Sequence, residues 1–89
     1  MLLFADGSVY SGSFSKNKLN GYGIYIWSDG KQYIGTWSDN QMHGKGRMIW
    51  SDGKAYSGQW FENKRDGEGV LHHTDGKKEK CLWANGKPV

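Results

Sequence analysis

The chain has 89 residues, with 12 Lys+Arg against 9 Asp+Glu for a formal net charge of +3, and a single cysteine. That length bounds it to one compact domain or one short repeat array, too small for a deep two-layer core. One cysteine excludes an internal disulfide scaffold, and a charge this mild does not call for a nucleic-acid partner. Aromatics make up 15% of the chain and glycines number 14, so rings rather than aliphatic layers must do the packing.

The apolar stretch Met1 to Ala5 reads as a first strand, near 1–5, ended by Asp6-Gly7. It lacks the basic start and the length of a secretory signal, and no apolar run approaches the roughly 20 residues of a membrane helix. A second strand follows near 8–15, and period-two alternation sets Tyr10, Gly12 and Phe14 on one face. The polar segment Ser15 to Asn20 reads as a longer connection into a third strand near 21–28. Ser28-Asp29-Gly30-Lys31 then gives the signal of a two-residue hairpin, and the predicted turn is type I′, centred on Asp29-Gly30. Strands near 31–38, 44–51, 54–61, 67–74 and 77–84 complete eight candidates. Glycines spaced two apart disfavour helix throughout, so the expected fold is an all-β antiparallel meander.

The order is periodic. Asp6-Gly7, Asp29-Gly30, Asp52-Gly53 and Asp75-Gly76 stand 23 residues apart, as do Tyr10, Tyr33 and Tyr56, and the rings Phe14, Trp37, Trp60 and Trp83. Glycine series at 12/35/58, 21/44/67 and 23/46/69 keep the same interval. Residues 1–89 therefore divide into a partial unit 1–7, repeats 8–30, 31–53 and 54–76, and a degenerate unit 77–89. A glycine lets a neighbouring ring lie flat over its backbone, and Gly35 is expected to lie beneath such a ring. Such an array covers its own sheet without a second layer, as a ribbon whose units touch only their neighbours.

Tyr-x-Gly-x-Trp, His-Gly-x-Gly and Asp-Gly at this period resemble the MORN (membrane occupation and recognition nexus) repeat, with Met42-His43-Gly44-Lys45-Gly46-Arg47 close to its most typical stretch. The resemblance covers Phe4 to about Trp83. It implies an elongated, twisted single-layer sheet of one hairpin per repeat. It also implies non-catalytic scaffolding in cilia, membrane junctions or cytoskeletons, or an accessory region of a lipid kinase or methyltransferase. At the start, Met1 falls in the register of Ile24, as in a fragment of a longer array or a chain whose first edge something else closes. At the other end Glu79, Cys81 and His73 replace the expected tyrosine, glycine and tryptophan, and Lys77, Lys78 and Lys80 charge the last strand, which reads as a C-terminal cap.

Few residues suggest chemistry. The Gly-x-Gly segments lack the lysine and helix of a phosphate loop. The aspartates, about 10 Å apart, cannot share one ion. His72, His73 and Cys81 have no recognised zinc spacing. Neither a catalytic residue, a metal site nor a cofactor is therefore expected. Binding remains. The ring face offers Tyr25, Trp27, Tyr33, Trp37, Met48, Trp50, Tyr56 and Trp60 to another protein, as a groove for a helix or extended segment, with the edge at 1–5 as the alternative. Ile24, Ile34 and Ile49 mark a second, opposite face. The runner-up is acidic phospholipid, through Lys31, Lys54 and Lys77, although each stands near an aspartate and a cluster of 4–8 basic residues is missing. The lone thiol suits a cytoplasmic setting, and the resemblance implies a cytoskeletal or ciliary one.

Overall fold

Each Asp-Gly pair turns the chain back on itself, and no crossover segment intervenes, so consecutive strands pair in order. In the computed structural model, which describes residues 1–89, they form one open antiparallel sheet of nine strands in the order β1 to β9. The strands are β1 (Leu2–Leu3), β2 (Val9–Ser15), β3 (Lys18–Ile26), β4 (Gln32–Ser38), β5 (Gln41–Ile49), β6 (Ala55–Phe61), β7 (Lys64–His72), β8 (Lys78–Ala84) and β9 (Lys87–Pro88). The sheet measures 36 × 24 × 17 Å along its principal axes.

The two kinds of hairpin turn are the reverse of the sequence expectation. At Asp29-Gly30 only the glycine has positive φ, +96°, and Gly30 N–H donates to the Trp27 carbonyl at 3.0 Å. This is a three-residue loop closed by a left-handed glycine, not a type I′ turn. The reason lies in the aspartate: its Oδ1 accepts the Lys31 N–H at 2.9 Å, a local bond that suits an ordinary turn. Asp6, Asp52 and Asp75 accept the N–H of Ser8, Lys54 and Lys77 in the same way. The Ser8 N–H bond is the leading cause that holds the Asp6 carboxyl below its usual range.

Positive φ at both central residues occurs at the other end of each hairpin, at Lys16-Asn17, Asp39-Asn40, Glu62-Asn63 and Asn85-Gly86. The segment Ser15 to Asn20 is therefore not a long loop. Ser15 pairs with Lys18 across a two-residue turn, and β3 begins three residues earlier than expected. Asn85-Gly86 adds a ninth strand that the eight-strand count omitted.

Gly12, Gly23, Gly35, Gly46, Gly58 and Gly69 pair across successive strands in one row, which ends at Cys81. Along this row the rings lie down. A Cβ on Gly46 would fall inside the phenol of Tyr33, and the same holds for Gly23 under Tyr10 and Gly69 under Tyr56. Gly35 is limited differently. A Cβ there would meet the backbone of the next strand, 2.5 Å from the Gly46 Cα and 2.7 Å from the Lys45 oxygen.

The rings then interlock. Tyr10, Trp37, Tyr33, Trp60, Tyr56 and Trp83 form a line of edge-to-face pairs, with centroids 5.9, 5.2, 5.5, 5.8 and 6.2 Å apart in that order. Tyr33 and Tyr56 each touch the tryptophan of their own unit and that of the next, while Tyr10 touches only Trp37 of the next unit. Such pairs contribute about 0.5–1.5 kcal/mol each beyond the area they bury. Tyr33 and Tyr56 are 0% exposed, so a sheet one layer thick still has a core.

Candidate binding groove

The core closes most of the ring face, but one end stays open. Where β1 is short, Leu2, Phe4 and Phe14 wall a groove whose floor is Leu19, Tyr25, Trp27, Trp37 and Met42. Its volume is about 520 Å³, within the range of sites that hold a ligand or several side chains. Phe14 is 47% and Phe4 39% exposed, although Phe4 stacks on Tyr25 at 5.6 Å. None of its lining residues carries a charge.

Asn17, Asn40 and Asn63 form the polar rim. Their positions follow from the hairpin tips, where asparagine tolerates left-handed φ. Two of them also join neighbouring units. Asn40 donates its N–H to the Leu19 carbonyl at 3.0 Å, while its Oδ1 accepts the Leu19 N–H at 2.7 Å. Asn63 clamps Met42 with bonds of 3.0 and 2.8 Å. Gly86 repeats only the backbone half of the clamp, donating to Arg65 at 2.9 Å.

Of the residues the sequence marks for binding, Tyr25, Trp27 and Trp37 come together in this groove. Trp50 lies apart, in a shallow dip with Leu71 and Lys54. Tyr33, Met48, Tyr56 and Trp60 are buried and support the floor rather than offer surface. Burial accordingly pushes the Tyr33 phenol well above its usual range, and those of Tyr10 and Tyr56 upward too. On the opposite face Ile24 and Ile34 are direct cross-strand neighbours, while Ile49 pairs with Gln32 and Ala55. All three isoleucines are half-buried.

The turn lysines are not equivalent. Lys31 Nζ sits 4.6 Å from the Trp27 ring centre, and Lys77 Nζ is 3.9 Å from Asp75 Oδ2. Lys54 borders the Trp50 dip. Sequence reasoning placed Leu2 only within the alternative edge at 1–5 and missed Leu19, Met42 and the asparagines. The asparagines share the 23-residue period and were legible in principle, but the segment holding the first reads as a featureless polar loop.

The MORN repeat model matches residues 10–32, 33–55 and 56–78, three consecutive 23-residue segments that keep the period of the sheet. No curated protein matches the chain.

Proposed function

The chain belongs to the MORN repeat family, a binding repeat rather than a catalytic one, and from that premise we propose that it is a protein-interaction scaffold whose ring-face groove receives a segment of another polypeptide. The observation that carries this reading is the groove itself: two exposed phenylalanines beside a floor that includes the half-buried Trp27 and is packed from below. Exposed aromatics on a rigid support are the usual anchors of a protein interface. A cytoskeletal or ciliary assembly is the setting we favour for it.

Acidic phospholipid is the weaker reading. Each turn lysine stands two residues after an aspartate, at Asp29/Lys31, Asp52/Lys54 and Asp75/Lys77, so the turn edge carries little net basic charge.

The experiment compares affinity capture by the wild type and by a Phe14→Ala, Trp27→Ala double variant. Both residues lie at the surface of the groove, so the variant should keep the β-sheet circular dichroism of the parent. Proteins bound by the wild type should be lost from the variant. Capture of the same proteins at the same yield would sink the groove as the binding surface. Trp37 is unsuitable for this test, because it stands between Tyr10 and Tyr33 in the core.

A further inference from the structure

We propose that Asn17, Asn40 and Asn63 act as a hydrogen-bond register for the partner, and that the partner segment is a helix bearing a neutral acceptor side chain at every seventh residue beside its apolar face. The inference rests on the groove reading above and adds the chemistry of the occupant.

The three asparagines occupy the same place on successive hairpins, at one rim of the groove. The Leu19 N–H holds Asn40 Oδ1, and the Met42 N–H holds Asn63 Oδ1. Those bonds fix which end of each amide faces the sheet, so the Nδ2 donors are the ends left for a ligand. Asn17 is exposed at the equivalent rim position. The rim therefore offers donors, and an occupant must answer with acceptors. The groove lining carries no charge, so nothing in it would offset the burial of a charged side chain. Neutral acceptors such as Gln, Asn or Ser fit.

Spacing selects the helix. Two strands per unit set successive asparagines about 10 Å apart. Seven residues of α-helix rise about 10.5 Å and return to nearly the same face. An extended chain repeats a face every 6.8 Å or so, and its step of about 10 Å, three residues, points the other way. An extended segment thus satisfies one asparagine and misses the next.

The test uses two synthetic amphipathic helices of about 21 residues, long enough for three heptads. Their leucine faces are identical, and each has Gln or Ala at every seventh position along one border. Binding to the full chain is read by titration calorimetry. The second protein is the triple variant Asn17→Asp, Asn40→Asp, Asn63→Asp, which keeps the oxygen that accepts from Leu19 and Met42 but removes all three donors. The wild type should bind the Gln helix about tenfold or more tighter than the Ala helix, as two or three modest net hydrogen bonds allow. The triple variant should lose that preference and melt as the parent does. Equal binding of both helices by the wild type, or a preference that survives in the triple variant, overturns the asparagine register and leaves the groove standing. Binding of the Ala helix that persists undiminished in the Phe14→Ala, Trp27→Ala variant, or no binding of either helix by the wild type, overturns the groove reading and the register with it.

Discussion

The two ends of the ring face share one backbone register and differ most at one position of the floor. Leu19 in β3 and Met42 in β5 floor the open groove, whereas Arg65 takes the equivalent place in β7, opposite Trp60 as Met42 is opposite Trp37. The Arg65 guanidinium lies 3.8 Å from the Trp83 ring centre and 5.4 Å from that of Tyr56. One end thus covers its rings with its own cation, and the other leaves them to be covered. The lesson is that the repeat supplies a surface, while one side chain per unit decides whether that surface is available.

The strongest way to break the comparison is to cut the line of rings that joins the two ends. Gly46→Val would place a branched side chain inside the Tyr33 phenol. The expected loss is about 3 kcal/mol or more, a large share of what so small a domain has. A thermal melt followed by circular dichroism should show a collapsed transition, and an unchanged midpoint would refute ring-over-glycine packing.

Alkali should act on the same line. The folded Tyr33 phenol titrates above its unfolded value of 10.0 because burial disfavours the phenolate. Its contribution to stability is therefore complete below pH 10 and is lost as pH rises through the raised folded value. Tyr10 and Tyr56 act in the same sense; at Tyr56 burial leads, Cys81 adds to the rise and Arg65 opposes it. Denaturant midpoints should stay level up to about pH 9.5 and fall beyond it; a flat profile to pH 11.5 would contradict the burial of these phenols.

The 23-residue interval, the single layer and the ring face were legible in the sequence because Tyr, Gly and Trp recur without an insertion, but a two-residue turn at Asp29-Gly30 would have paired Ile26 with Tyr33, where the sheet pairs it with Gln32. The turns were not. Asp-Gly resembles the common hairpin signal, and only the carboxylate bond to Lys31 N–H distinguishes the turn that forms. The site was legible in part. Alternation placed Tyr25, Trp27 and Trp37 with Tyr33 and Met48, but period two cannot tell which rings other rings will bury. Asn85-Gly86, in register with Lys16-Asn17, was the available clue to the hairpin tips and so to the asparagine rim.

The clamps differ between the two ends as the floor does, and smaller effects are expected there. Asn63→Ala leaves the Met42 N–H without its acceptor and should cost about 1–2 kcal/mol, lowering the melting midpoint by several degrees. Gly86→Asn should offer the Arg65 N–H the amide oxygen that Leu19 and Met42 receive, and raise the midpoint slightly. Unchanged midpoints in both variants would show that the side-chain half of the clamp has no energetic role.

The smallest change sharpens the contrast itself. Arg65→Met should remove two cation–π contacts at a cost of about 1 kcal/mol. Acrylamide quenching of tryptophan fluorescence should rise as Trp83 becomes accessible. Quenching that stays at the parental level would mean that Arg65 does not shield the ring.

The asparagine clamp grips Leu19 and Met42 by their peptide groups alone, and Gly86 grips Arg65 likewise. The side chain at the gripped position takes no part in the clamp itself. Leucine, methionine and arginine have each stood there without disturbing the 23-residue interval. Substitution at that position can rewrite what the surface accepts, one hairpin at a time, while the joints between hairpins stay as they are. The array is in this sense a keyboard: the keys can be changed without rebuilding the frame.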